Sequence, residues 1–459
     1  MCPQLTPFLA VRLLARRLNE NDSDYDEVLE LGEGRNYILL GEATHGTRDF
    51  YRMRADITRL LILRGEVGAI AIEGDWPDVW RVNRFVLGEG GDDAESALDD
   101  FQRFPAWMWR NREMLAFVAW LRAHNTTLPV AARVGIYGLD LYSLYRSADA
   151  VIRYLEQIDP DQAELARAHY AALDHVREPQ TYGYEAATGR RRSARDGAIA
   201  QLLKLREDDA EHLSRDGLSA MDAHFFAEQN AQVVVNAEHY YRAMFERRIN
   251  TWNLRDAHMA QTLFAISRHR LRQGGAGRVV VWAHNSHVGD ARATETHTHG
   301  EWNLGQLVRQ EAGADALLVG FTTYTGHVCA ASAWDAAPEQ KWVRPALRDS
   351  CEALFHASGL DRFYLPLDTP SAAELRMPML QRAIGVLYLP ESERASHYFA
   401  AAVANQFDAI FHVDETSAVE PLAPPLGWHQ PEATQAIECE LAPRAQSTDA
   451  DQGVPSTRN

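Results

Sequence analysis

Four side chains near the start of the chain have the types and spacing for proton-transfer chemistry. Glu42 and His45 sit in the run Gly41-Glu42-Ala43-Thr44-His45-Gly46, and Glu73 and Asp75 follow in Glu73-Gly74-Asp75. A carboxylate beside an imidazole fixes one tautomer and raises its basicity, which a general base near neutral pH requires. His284 and His287, in Ala283-His284-Asn285-Ser286-His287, are a second candidate group. With 18 histidines in 459 residues, about 0.7 HxxH pairs arise by chance. Position, not spacing, is what makes this pair a candidate.

That position follows from the apolar pattern. Tyr37-Ile38-Leu39-Leu40 is too short for a helix and ends at a glycine and polar residues, as a buried strand does. Phe50, Met53, Ile57, Leu60 and Leu61 then recur at helical spacing until Gly65, and the apolar run Val67 to Ile72 ends in Glu73. Strand, helix, strand is a βαβ unit, whose parallel and usually neighbouring strands finish on one edge. Open α/β sheets bind ligands at that edge. Val134 to Gly138, ending near Asp140, and Arg278 to Trp282, ending at His284, read as further strands of the same sheet, so Glu42, His45, Glu73, Asp75, His284 and His287 are expected to converge.

The expected fold is α/β: a mostly parallel central sheet flanked by helices, with a large all-helical insertion acting as a cap. Residues 1–35 read as an N-terminal helix and acidic loop, and 36–142 as the first half of the core. Residues 143–272 carry helical spacing throughout, with 180–192 as a mobile loop. Residues 273–420 complete the core, with strands at 316–321, 363–365, 383–389 and 407–413, and 421–459 read as a disordered tail. The helices include 76–87 and 107–124, in a segment carrying Trp76, Trp80, Trp107, Trp109 and Trp120 that is expected to contribute pocket walls.

Composition narrows the function. Hydrophobic residues at 46% and charged residues at 24% describe a globular protein, and a formal net charge of −18 argues against a nucleic-acid partner. Cys2, Cys329, Cys351 and Cys439 form no CxxC pair. The N-terminal apolar run is broken by arginines, and no window is long and apolar enough for a membrane span, so a cytoplasmic location without a membrane partner is expected. There is no GxSxG, HExxH, P-loop or GxGxxG, hence no support for a nucleophilic serine or a nucleotide cofactor. The histidines with Glu42, Glu73 and Arg54 suit activation of water against a carbonyl, a cationic group holding the oxyanion. The same side chains suit zinc or manganese, and residue types alone do not choose. A hydrophobic-ligand binder without turnover is the third reading.

Several ordered segments carry a resemblance. Gly41-Glu42-Ala43-Thr44-His45-Gly46, Ala71-Ile72-Glu73-Gly74-Asp75-Trp76, Tyr137-Gly138-Leu139-Asp140-Leu141-Tyr142-Ser143, Asn253-Leu254-Arg255-Asp256, Trp282-Ala283-His284-Asn285-Ser286-His287-Val288 and Phe411-His412-Val413-Asp414-Glu415-Thr416 together resemble the erythromycin esterase family, from about residue 35 to about 420. The resemblance implies a hydrolase that opens the macrolactone ester of macrolide antibiotics by direct attack of water, conferring resistance, with no cofactor or metal. It makes His45 the base, oriented by Glu42 and Glu73, with Arg54, His284 and His287 binding substrate or the oxyanion. The partner it implies is a small ester or lactone. Arg255 and Asp256, on a helix, are expected to be a structural ion pair. His239, His258, His297 and His299 are expected to be packed or solvated.

Overall fold

The computed structural model describes residues 6–91, 93–173, 178–212, 217–246 and 249–423. Of the tail expected to be disordered, residues 424–459 lie outside the described residues.

The strands are β1 (Arg16–Arg17), β2 (Tyr37–Leu40), β3 (Val67–Asp75), β4 (Gly135–Asp140), β5 (Arg278–Trp282), β6 (Ala316–Ala330), β7 (Glu339–Val343), β8 (Arg362–Pro366), β9 (Met379–Arg382), β10 (Tyr398–Ala401) and β11 (Ala409–Thr416). Nine of them make one sheet in the order β1-β8-β11-β6-β2-β5-β3-β4, with β7 on β6, while β9 and β10 pair separately. From β11 to β4 every neighbour is parallel. Antiparallel pairing is confined to β1–β8–β11 and to β6–β7. The sheet is therefore mostly parallel, as expected. One expectation needs correction: β2 and β3 are not neighbours, because β5 runs between them. This insertion brings the end of β5, and so His284, beside both His45 and Glu73.

Both faces of the parallel strands are covered, which is why their sequences are apolar without alternation. Leu39, Ala71, Val281 and Leu318 enter one buried cluster, and Ile38, Leu40, Ile72, Trp282 and Val319 enter the other. The helices are α1 (Pro7–Leu14), α2 (Asp26–Leu31), α3 (Arg48–Leu63), α4 (Trp76–Leu87), α5 (Arg112–Asn125), α6 (Leu144–Ile158), α7 (Pro160–Tyr170), α8 (Pro179–Ala187), α9 (Arg195–His212), α10 (Gly217–Ala243), α11 (Thr251–Arg272), α12 (Asn285–Val288), α13 (Leu304–Ala312) and α14 (Cys351–His356), with two further single-turn helices after them. α3, α4 and α5 cover the second face through Phe50, Ile57, Val82 and Phe117. The helices between β4 and β5 pack on the first face, where Val151, Val234, Met259 and Leu263 share a core with the sheet residues.

Some local expectations fail for physical reasons. The loop expected at 180–192 contains α8, whose Tyr182 is fully buried and donates to Glu238 at 3.1 Å. The helix expected from Trp107 begins at Arg112, because Asn111 caps it by accepting the Met114 N–H at 2.8 Å. The run 383–389 is not a strand. It makes only single bridges, Ile384 to Thr44 and Leu387 to Ala331, and the strand lies just before it at Met379–Arg382. No helix among the described residues is long and apolar enough to cross a membrane.

Candidate active site

The C-terminal ends of β2, β3, β4 and β5 converge at one edge. The chain leaves β2 under tight steric control: a Cβ on Gly41 would lie 2.1 Å from Asn285 Oδ1, and one on Gly46 would lie 1.8 Å from the Cys329 carbonyl oxygen. The turn between these glycines presents Glu42 and His45. His45 Nδ1 donates to Glu42 Oε1 at 2.9 Å, and Arg54 Nη2 donates to Glu42 Oε2 at 2.5 Å. The proton held on Nδ1 leaves Nε2 with its lone pair. Arg54 is fully buried, its guanidinium 4.6 Å from the Tyr51 ring and 5.2 Å from the Trp282 ring. It therefore sits behind Glu42 and holds it, which corrects the role of substrate or oxyanion binding expected for Arg54.

His45 Nε2 faces Glu73 Oε1 across 3.9 Å. That Glu73 oxygen accepts from Arg255 Nη2 at 2.9 Å, and the other accepts the His284 main-chain N–H at 2.8 Å. Trp109 Nε1 donates to the Glu73 carbonyl at 2.7 Å and steadies the strand end. Burial alone would raise the Glu73 pKa, but His287, His45 and Arg255 outweigh it and hold the carboxyl well below its ordinary value.

Arg255 occupies the middle of the cluster. Besides Glu73 it grips Asp140 with two bonds, Nε to Oδ1 at 3.0 Å and Nη2 to Oδ2 at 2.7 Å, and its Nη1 lies 3.1 Å from His287 Nε2. His287 Nδ1 lies 2.9 and 3.0 Å from the two Asp256 oxygens, its Nε2 is 3.4 Å from Glu73 Oε1, and Trp252 stacks on its ring at 4.4 Å. Burial works against a charged His287, yet Asp256 and Glu73 raise its pKa to about 10 in spite of Arg255. Burial also pushes the Asp256 carboxyl upward, opposed by His287, Arg255 and the Leu304 N–H. The other ring nitrogen, Nε2, faces a second carboxylate, Glu73, and the Arg255 guanidinium together.

His284 behaves differently. Its Nδ1 accepts the Ser286 N–H at 3.2 Å and lies 2.8 Å from Ser286 Oγ, which assigns the ring proton to Nε2. That Nε2 is buried without a hydrogen-bond partner, and the ring centre is 4.9 Å from that of His45. Burial, with His45 and His287, lowers its pKa to about 3, against Glu73 and the Ala43 backbone. His284 is thus a neutral donor aimed into the site.

The structure brings Glu42, His45, Glu73 and His284 together around one point, with His287 behind Glu73. Asp75 does not join them: it stands at the rim, accepting from Arg103 Nε at 3.0 Å and from the Tyr142 N–H at 2.9 Å. Arg255 and Asp256 were read from sequence as a structural pair, but they bind the site residues and not each other. The signal available was two opposite charges opening a helix inside a matched motif, and their partners lie 115, 182 and 31 residues away. His258 is outside the site, bonded to Asn236 at 2.8 Å, and His297 and His299 are exposed. Among the described residues no three His, Cys, Asp or Glu side chains are placed to hold a metal ion. A divalent ion between Glu73 and Asp140 would have to displace the Arg255 guanidinium.

Known proteins resemble the chain in sequence and in fold. A curated relative, erythromycin esterase type II of Escherichia coli, is 20% identical over 341 residues, 68% of this chain and 76% of that one. Among solved structures, one described as a succinoglycan biosynthesis protein superposes with a TM-score of 0.72 at 18% identity, covering 91% of this chain and 98% of the other. A Bacillus cereus protein gives 0.74 at 16% identity with the same coverages. A mutant of the erythromycin esterase EreC in its open conformation gives 0.61 at 16%, covering 88% and 96%. These likenesses establish the fold. The family described as erythromycin esterase matches residues 65–416, a span that begins after the Gly41 to Gly46 turn and takes in Glu73, Arg255, Asp256, His284 and His287, and the chain belongs to that family.

Proposed function

We propose that the chain is a carboxylic-ester hydrolase that opens an ester or lactone by attack of water activated at His45. Family membership supports an esterase-like hydrolase, and the observation that carries the mechanism is the 3.9 Å gap between His45 Nε2 and Glu73 Oε1. Both atoms are acceptors and too far apart to bond directly, so one water can donate a hydrogen to each and turn a lone pair toward a carbonyl carbon.

In this reading His45 Nε2 takes the water proton as the new C–O bond forms. The imidazolium is stabilised through Nδ1 by Glu42, itself held by Arg54. Charge accumulating on the carbonyl oxygen is met by the buried Nε2–H of His284, whose ring is already oriented by the Ser286 contacts on Nδ1. His45 returns its proton to the leaving alkoxide as the C–O bond breaks, giving a carboxylic acid and an alcohol with no covalent enzyme intermediate. The wall beside Glu73 comes from the start of α11, through Trp252 and Arg255, which makes the helical region of 143–272 part of the site. A metal-assisted route fits less well, since Arg255 already neutralises Glu73 and Asp140.

Macrolactones are the first substrates to test, because the Escherichia coli relative is named an erythromycin esterase. Mass spectrometry of erythromycin incubated with the protein should show a gain of one water, absent with His45→Ala. Full turnover by a folded His45→Ala protein would sink the mechanism. No turnover of erythromycin by the wild type would move the search to other esters and lactones.

A further inference from the structure

We infer that Asp256 is a positioning residue which, acting through His287, keeps Glu73 in place and ionised opposite His45, and that this second acid–histidine pair sets the upper pH limit of turnover. This rests on the ester-hydrolase reading of the site.

The geometry makes the pair a counterpart of Glu42–His45 on the far side of Glu73. Asp256 is fully buried on α11, and both its acceptor oxygens are spent inside the protein: on His287 Nδ1, and on the Leu304 N–H at 2.7 Å, where α13 begins. His287 rides on α12, which is tied to the same junction by Asn303 Nδ2 bonds to the Ser286 and Gly289 carbonyls at 2.6 and 2.5 Å. With Nδ1 held by Asp256 and one face of the ring stacked 8° from parallel on Trp252, rotation is blocked. Nε2 then points into the gap between Arg255 Nη1 at 3.1 Å and Glu73 Oε1 at 3.4 Å, the oxygen that faces His45.

The charges around His287 come from every element packed on it. Asp256 and Arg255 belong to α11, Glu73 to β3, and His284 to the turn before α12, while Asp140 at the end of β4 acts through Arg255. Burial and Arg255 oppose the imidazolium, and Asp256 and Glu73 favour it. Without Asp256 the opposing cation would prevail, and His287 would lose its proton near neutrality. Glu73 would then be left with Arg255 alone, drawn toward Asp140 and away from the water. Consecutive residues of one helix thus serve the same carboxylate, Arg255 directly and Asp256 through the ring.

The test combines two readouts on the full chain. Histidine labelled with carbon-13 in the ring reports the His287 proton by NMR, assigned by the resonance lost in His287→Gln. Turnover of p-nitrophenyl butyrate reports kcat from pH 6 to 10. In the wild type His287 is expected to stay charged to at least pH 9, with kcat level from pH 7 to 9. In Asp256→Asn His287 should titrate near or below pH 7, and kcat should fall tenfold or more over the same interval. Asp256→Glu should restore the wild-type profile. A wild-type His287 that is neutral at pH 8 overturns the inference, as does an Asp256→Asn protein slowed by the same factor at every pH. If Asp256→Asn does not fold, the wild-type titration still decides. If the wild type cleaves no ester, the hydrolase reading fails, whereas the NMR arm judges the Asp256–His287 pair by itself.

Discussion

His45 Nε2 and Glu73 Oε1 face each other at 3.9 Å, each anchored from behind by a charged partner, Glu42 on one side and Arg255 on the other. In the proposed mechanism this separation holds one oriented water, whose activation depends on the His45 tautomer. Glu42→Gln presents an amide N–H to Nδ1 as readily as a carbonyl, so a fraction of His45 would carry its proton on Nε2 and lose its function as a base. We expect kcat to fall by roughly a thousandfold, within the range of general-base effects, with KM changed little. A variant retaining more than a tenth of wild-type kcat would separate Glu42 from catalysis.

Arg54 should act on stability as well as on rate. Its guanidinium and the Glu42 carboxylate are both fully buried and paired at 2.5 Å. Arg54→Met would leave Glu42 a buried charge without its main partner, at a cost of about 3 kcal/mol or more. The double variant Glu42→Gln with Arg54→Met should be more stable than Arg54→Met alone, because no charge is left unpaired. Urea unfolding of the three proteins checks this, and a double variant weaker than either single one would contradict it.

The core of the site was legible because β2, β3 and β5 are short apolar runs that stop at polar residues. Glu42, His45, Glu73 and His284 lie within a few residues of such stops. Arg54 could be named but not placed, since only packing reveals that Tyr51 and Trp282 enclose it. Arg255 and Asp256 were undervalued because their charges lie on a helix face, which in sequence looks solvated, whereas α11 turns that face onto β3, β4 and α12. The short strands β7, β9 and β10 escaped for a related reason. Glu339–Val343 is mostly exposed, and Met379–Arg382 alternates too little to differ from a loop. What pins them is pairing with distant chain, to which local periodicity is blind.

His284 should affect kcat more than KM. Its Nε2–H is buried without a hydrogen-bond partner, and in the proposed mechanism it meets the developing oxyanion. His284→Ala is expected to lower kcat about a hundredfold, and His284→Gln, whose amide can still donate, should recover part of that loss. Steady-state kinetics on one activated ester decides, and a change confined to KM would make His284 a substrate-binding group instead.

Chelation should leave turnover intact. Two carboxylates of the site, Glu73 and Asp140, are already bridged by Arg255 at 2.9 and 2.7 Å, and Glu42 is paired with Arg54. Protein purified without added metal, then dialysed against EDTA, should keep its activity and contain less than stoichiometric zinc or manganese. Loss of activity that returns with one equivalent of metal would require Arg255 to move aside and would favour the metallohydrolase.

The two histidines of the HxxH segment should give stability opposite dependences on pH. His284, lowered to about 3 by burial and by His45 and His287, stays neutral in the folded protein while the unfolded chain takes up a proton below about pH 6.5. Stability therefore falls as pH drops through that interval, by about 2 kcal/mol between pH 6.5 and 5 from this residue. His287, raised to about 10 by Asp256 and Glu73 against the cost of burial, contributes fully below about pH 6.5 and loses its contribution as pH rises through 10. Urea unfolding at pH 5, 7 and 9 should place the maximum between the two. In His284→Gln the loss from pH 7 to 5 should shrink while the alkaline side stays as it is. Equal acid slopes in wild type and variant would show that His284 is charged in the folded protein, and would remove it as the neutral donor.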